Sequence, residues 1–276
     1  MQLGIGSYTY SWAVGVPGYL PAHPMTAGAL LEQAHRLDVP VVQIADNLPL
    51  HVLSAADREA LARRARELGI QIEVGTRGIA RAHLRTYIEL AARFASPILR
   101  VVVDTVDHHP PADEVVATLR AALPKLREAG VCLAVENHDR FPVRVLRHIV
   151  EAIDSAHVGI CLDPVNSFGS LEGPEVVLET LGPWVVNLHV KDFTIYRADH
   201  KMGFTIEGRP AGEGMLDVPW LLERLREMGR DPNAIVELWT PPENELAETI
   251  RKEAAWAERS VAYLRRLIPP GAKPPC

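Results

Sequence analysis

The feature that most constrains this chain is an alternation. Short runs rich in apolar and β-branched residues recur at 3–8, 39–45, 70–75, 98–103, 131–136, 158–163, 185–190 and 234–238. Between and after them lie stretches rich in Ala, Leu, Arg and Glu at helical spacing, at 27–37, 55–68, 80–94, 113–129, 143–153, 174–181, 218–228 and 247–267. Strand-like and helix-like segments taking turns in this way are the sequence sign of parallel βαβ units. Gly69, Gly130, Gly182 and Gly229 stand at or near the ends of helical stretches, where a helix stops before the next strand. Eight such units close a barrel, whereas an open doubly wound sheet uses fewer strands and a GxGxxG first turn. The first turn here, Gly6-Ser7-Tyr8-Thr9-Tyr10-Ser11-Trp12, lacks that motif. The expectation is an α/β fold of (β/α)8 TIM-barrel type. It forms one domain over residues 1–268, and the Pro-rich residues 269–276 form an extended tail.

Charge narrows the partners. The 29 Lys and Arg are scattered among 35 Asp and Glu, for a net charge of -6, so no concentrated positive field is available for a phosphate backbone. Nucleic acid is excluded as an expected partner. No apolar run approaches the roughly 18 residues of a spanning helix, and the opening Met1-Gln2-Leu3-Gly4 has no basic leader region. A cytoplasmic protein is expected, without a membrane partner. Cys132, Cys161 and Cys276 make neither a CxxC pair nor an even disulfide framework, and the first two sit in apolar runs as small hydrophobes.

In a barrel of this kind, chemistry gathers at the C-terminal ends of the strands. The last four strand-like runs carry Glu136, Asp163, His189 and Glu237 at or near those ends, in sequence steps of 27, 26 and 48 residues. The first two steps are single βα units. The third is lengthened by the segment from Thr194 to Asp217, which contains Gly203, Gly208, Gly212 and Gly214. A long βα loop of this sort reads as a cover for an active site. Singly, each of the four residues reads as a cap, an ion-pair partner or a structural histidine. Together, three carboxylates and an imidazole converging on one mouth would repel one another and resist desolvation unless a cation joined them. A divalent metal is therefore expected, with Mn2+ first and Mg2+, Co2+, Fe2+ or Zn2+ compatible with the same donors.

The surrounding motifs are Val135-Glu136-Asn137, Leu162-Asp163-Pro164-Val165-Asn166-Ser167, His189-Val190-Lys191-Asp192 and Gly212-Glu213-Gly214. With them the chain resembles the xylose-isomerase-like TIM barrels over nearly its whole length. That family includes D-tagatose and D-psicose 3-epimerases, hydroxypyruvate isomerase, inosose isomerases and dehydratases, and 3-oxo-isoapionate decarboxylase. The resemblance implies one metal held by Glu136, Asp163, His189 and Glu237. It also implies proton transfer by Glu136 and Glu237 from opposite faces of a chelated substrate, and a homodimer or homotetramer.

The main expectation is thus an isomerase or epimerase of a small sugar, working through an enediolate. Lys191, two residues past His189 and on the same side of the strand, is a further catalytic candidate. Its charge, with that of Arg209, suits a sugar acid and sets up an alternative, decarboxylation of a β-keto sugar acid. Dehydration of a keto-inositol ranks third, and a metal-stabilised sugar-binding module is the reading without catalysis. Substrate contacts are expected from Tyr8, Trp12, Glu73, Arg100, His138, Asn166 and Arg209, with Asp46, Asn47, Arg77 and Asp104 also at strand ends.

Overall fold

The computed structural model describes residues 1–269, so the expected tail beyond Pro269 lies outside the described residues. Eight parallel strands close a barrel: β1 (Leu3–Gly6), β2 (Val41–Ile44), β3 (Gln71–Arg77), β4 (Ile98–Val102), β5 (Cys132–Glu136), β6 (Val158–Leu162), β7 (Val185–Val190) and β10 (Asn233–Val236). Neighbours in sequence are neighbours in space, and β10 closes the ring by pairing Ala234 with Leu3 and Asn233 with Asn187. The predicted barrel is borne out. Its strands are buried almost without interruption, as required of a parallel sheet covered by helices outside and filled by side chains within.

The outer helices are α2 (Ala27–Arg36), α3 (Ala55–Leu68), α4 (Arg81–Arg93), α5 (Ala112–Ala129), α6 (Val143–Ile153), α7 (Pro174–Leu181), α8 (Val218–Glu227) and α9 (Leu246–Leu267), with a short α1 (Ser11–Val14) after β1. Their limits follow from local chemistry. Ser54 accepts from the Asp57 amide at the start of α3, and Gly69 takes the left-handed conformation at its end. In α6 the apolar residues Val143, Leu146, Ile149, Val150 and Ile153 fall on one face, and all five are buried.

The segment expected as a loop cover is different. Asp192–Arg197 (β8) and Phe204–Arg209 (β9) form an antiparallel hairpin, with Phe193 opposite Gly208 and Ile195 opposite Ile206. Its root is pinned by Asp192, whose carboxylate accepts from the amides of Phe193, Gly212, Gly214 and Leu216. Gly214 is required by that carboxylate, because a Cβ there would stand 2.2 Å from Asp192 Oδ1, and Gly212 by its φ of +84° and the Tyr263 ring 2.6 Å from where its Cβ would be. Among the described residues, no helix is long and apolar enough to cross a membrane.

Candidate active site

Parallel register brings the predicted cluster together at the C-terminal mouth. Glu136 ends β5, Asp163 directly follows β6, His189 lies in β7 and Glu237 directly follows β10, its amide donating to Val190 O to extend the ladder. All four are buried. His189 Nδ1 stands 3.2 Å from Glu237 Oε1, 3.6 Å from Glu136 Oε2 and 3.8 Å from Asp163 Oδ2. Donors bound at about 2.1 Å around an octahedral ion are themselves about 3 Å apart; Asp163, His189 and Glu237 form one group close enough to hold a divalent cation, and Glu136 falls in a second such group with Cys161 and His189. His189 Nδ1 and Asp163 Oδ2 find no hydrogen-bond partner among the described residues, although Lys191 Nζ is an ion-pair neighbour of Asp163 Oδ2 at 2.7 Å, out of hydrogen-bond alignment.

Electrostatics points the same way. Burial alone would pull the His189 imidazole down, yet Cys161, Glu237 and Glu136 hold it well above its ordinary value. Burial would likewise raise Asp163 and Glu237, but Lys191 and His189 keep both below the usual carboxylate range. The pocket draws positive charge to Nδ1, which a metal ion would supply. Cys161 also approaches the imidazole, but from Nε2, the nitrogen on the other side of the ring from Nδ1. Its buried thiol is pushed up to about 11 and donates to Asn187 Oδ1. The groups that could hold a cation thus form two sets that share His189.

Around this cluster the polar side chains are interlocked. Asn166 donates to Glu136 Oε1 at 2.9 Å and accepts from Lys191 Nζ at 3.1 Å, while Nζ also stands 2.9 Å from Glu237 Oε2. Arg100 pairs with the other oxygen of Glu136 and, at 2.8 Å, with Asp46, which also accepts from Tyr8 and Arg77. Asn137 ties the end of β5 to β6 by bonding both the amide and the carbonyl of Asp163. Above them opens a cavity of about 280 Å3, lined by Tyr8, Arg77, Arg100, Glu136, His138, Asn166, Lys191, Glu237 and Trp239 among others. That is the lower end of the size range for small-molecule sites.

Three expected substrate contacts lie elsewhere. Trp12 donates its indole N–H to Thr240 O at 2.8 Å and sets its ring edge against Tyr19, so it braces the chain after β10. Glu73 is fully buried in the barrel interior, accepting from Gln43, Asn187 and Asn233. Arg209 turns back on its own strand, to Glu207 and Gly208 O. No residue from Thr194 to Asp217 is among those lining the cavity; β8 and β9 pair with each other instead. Trp239 was missed, although strand alternation from Glu237 would have found it, just as it pairs His189 with Lys191.

Comparison with known proteins agrees with this architecture. A family model described as "Xylose isomerase-like TIM barrel" matches residues 31–267. The chain is 38% identical to the 3-oxo-isoapionate decarboxylase of Pectobacterium atrosepticum over 266 residues, covering 96% of this chain and 95% of that protein. Among solved structures, D-psicose 3-epimerase with D-tagatose from Clostridium cellulolyticum H10 superposes with a TM-score of 0.72 at 14% identity, covering 97% of this chain and 99% of the other. A xylose isomerase-like TIM barrel protein from Mycobacterium smegmatis, in complex with magnesium, gives 0.68 at 15% identity over 95% and 97%. Identities this low show the shared fold alone.

Proposed function

Because the chain belongs to the xylose isomerase-like TIM barrel family, we propose that its barrel mouth is the active site of a divalent-metal-dependent decarboxylase acting on a 3-oxo sugar acid. The observation that carries this reading is the 38% identity to 3-oxo-isoapionate decarboxylase, which runs through nearly the whole of both chains. It moves the alternative of the sequence reading ahead of the isomerase.

Charge at the mouth supports an acidic substrate. Arg77, Arg100 and Lys191 stand among the carboxylates of Asp46, Glu136, Asp163 and Glu237. With a divalent ion added and His189 neutral, these seven side chains would carry one net positive charge, which Asp139, also on the lining, offsets; Arg77 and Lys191 are the cationic groups that a substrate carboxylate would meet. Glu136, Asp163, His189 and Glu237 would hold the ion, manganese being the first choice. When bound, it would supply a Lewis acid that lowers the cost of negative charge on a ketone oxygen.

The reaction breaks the bond between the carboxylate carbon and its neighbour. CO2 departs, the electron pair remains as an enolate, and one proton added to the former α-carbon completes the balance. Lys191 is assigned that proton. Nζ stands 2.7 Å from Asp163 Oδ2 and 2.9 Å from Glu237 Oε2, carboxylates that favour its ammonium form. Arg77 and His138, on the lining, are assigned to the substrate carboxylate and hydroxyl groups.

The second reading, isomerisation, keeps one supporting observation: Glu136 and Glu237 both face the cavity. The purified protein, supplied with Mn2+ and 3-oxo-isoapionate in D2O, is expected to release CO2 and leave one deuteron in the product. Chelator should stop it and added Mn2+ restore it. Deuterium exchange into ketoses without CO2 release would favour the isomerase, and inertness toward every sugar and sugar acid would favour a binding module.

A further inference from the structure

Below the mouth, the barrel interior holds a buried carboxylate that the proposed chemistry does not use. Glu73 is fully buried, and its two oxygens face three amide donors: Asn233 Nδ2 at 2.8 Å, Asn187 Nδ2 at 2.8 Å and Gln43 Nε2 at 3.2 Å. Burial raises the Glu73 carboxyl while bonds from Asn233, Gln43 and Asn187 favour its ionised form, which offers only acceptors, so each amide presents its nitrogen to it. The consequence propagates upward. With its nitrogen committed to Glu73, Asn187 turns its oxygen to Gln43 Nε2 at 2.9 Å and to the Cys161 thiol at 3.3 Å. With its nitrogen committed to the same groups, Gln43 turns its oxygen to His189 Nε2, 2.8 Å away.

We propose that Glu73 and Gln43 are positioning residues that hold His189 in the Nε2–H tautomer and so aim the Nδ1 lone pair at Glu136, Asp163 and Glu237. The inference rests on the reading of that cluster as a metal site. At Nε2 nothing else competes with Gln43: Cys161, 3.3 Å from Nε2, already has Asn187 Oδ1 as acceptor for its thiol proton. A flipped Gln43 amide would set its oxygen against both Glu73 and Asn187 Oδ1. It would also donate into Nε2, moving the ring proton to Nδ1, where a cation would have to sit. Register gives the arrangement its rigidity, since Gln43 pairs with Glu73 across β2 and β3, and Asn187 lies two residues before His189 on β7. A partner on the second ring nitrogen of a metal-binding histidine both orients the ring and raises its basicity, and its loss typically costs 10- to 100-fold in metal affinity.

The test uses full-length protein and Zn2+, which is diamagnetic. In the Zn2+-loaded wild type, 15N spectra of the histidine rings should show His189 protonated at Nε2 and metal-shifted at Nδ1. Competition with a chromophoric chelator should show Gln43→Met and Glu73→Gln binding Zn2+ about 10- to 100-fold more weakly. Circular dichroism of the metal-free variants should show the wild-type spectrum. A proton on Nδ1 in the loaded wild type, or both variants binding within twofold of wild type, would overturn the inference and leave the metal site standing. Failure of the wild type to bind Zn2+, Mn2+ or Mg2+ would overturn both. If neither variant folds, the wild-type spectrum decides alone.

Discussion

Lys191 Nζ stands 2.7 Å from Asp163 Oδ2 and 2.9 Å from Glu237 Oε2, so one ammonium bridges two of the four expected ligands. The residue faces both the cluster and the cavity, 4.9 Å from the Trp239 ring centroid. If Lys191 delivers the proton, Lys191→Met should lower kcat for CO2 release by about 10²- to 10⁴-fold, the usual worth of a positioned acid. Metal affinity should not fall, because the substitution takes a positive charge away from the carboxylates. Steady-state kinetics and a chelator-competition titration measure the two quantities. Loss of metal binding with activity lost in proportion would instead make Lys191 a structural brace.

Asp163 makes a sharper test of the metal. Its Oδ1 is already engaged by the amides of Val165 and Asn166, which leaves Oδ2, beside Lys191 Nζ, as the oxygen available to a cation. A ligand that binds only the folded state at 100 times its Kd stabilises by about 2.7 kcal/mol. Adding Mn2+ at that excess should raise the wild-type Tm by several degrees, and chelator should reverse the rise. Asp163→Asn should fold, since the amide oxygen can still accept at the Oδ1 position, but its Tm should not respond to Mn2+. An equal Mn2+ response in wild type and variant would remove Asp163 from the ligand set.

Arg100 is buried at 2% exposure between Asp46 and Glu136. Burial opposes its charge, and Glu136 and Asp46 hold it far above its ordinary value. Removing one member of such a pair strands the other, at a cost of about 3–5 kcal/mol. Arg100→Met is expected to lose that much in urea denaturation, and Tyr8, whose hydroxyl shares Asp46, should lose its fixed position. A loss under 1 kcal/mol would mean that the two carboxylates find other partners.

Much of this fold could be read in the sequence because the signals were local. The buried strands are largely apolar runs, and Glu136, Asp163, His189 and Glu237 stand at or next to their C-terminal ends. What was misread depended on depth or on pairing. Glu73 precedes Arg77, at the end of β3, by four residues, which places it about 13 Å back along the strand. The sequence shows a polar residue in a strand but not how far it lies from the mouth. Gln43 drew no notice, for its importance comes from partners on β3 and β7. The hairpin escaped because the alternation in 192–197 and 204–209 is short and glycines flank it. Arg209 was placed at the site on its charge alone, whereas its guanidinium is held by Glu207.

Glu253 yields a prediction about pH. This residue of α9 is fully buried and accepts from the amides of Trp12 and Ala13, at 2.9 and 3.1 Å, so it caps α1. Burial outweighs those bonds and pushes its carboxyl up to about 7, from an ordinary 4.5. Below pH 4.5 the group is protonated in folded and unfolded chains alike, and its contribution does not change. Between 4.5 and 7 the unfolded chain gives up the proton while the folded one keeps it, so stability falls as pH rises. At about 1.4 kcal/mol per unit, the loss is on the order of 3 kcal/mol by pH 7, and it is constant above that. Glu253→Gln cannot ionise. The difference in unfolding free energy between wild type and this variant, measured in urea from pH 5 to 8, should therefore shrink or reverse as pH rises toward 7. A difference that grows with pH would show that the two amide bonds prevail over burial and that the carboxylate is the favoured form in the folded protein.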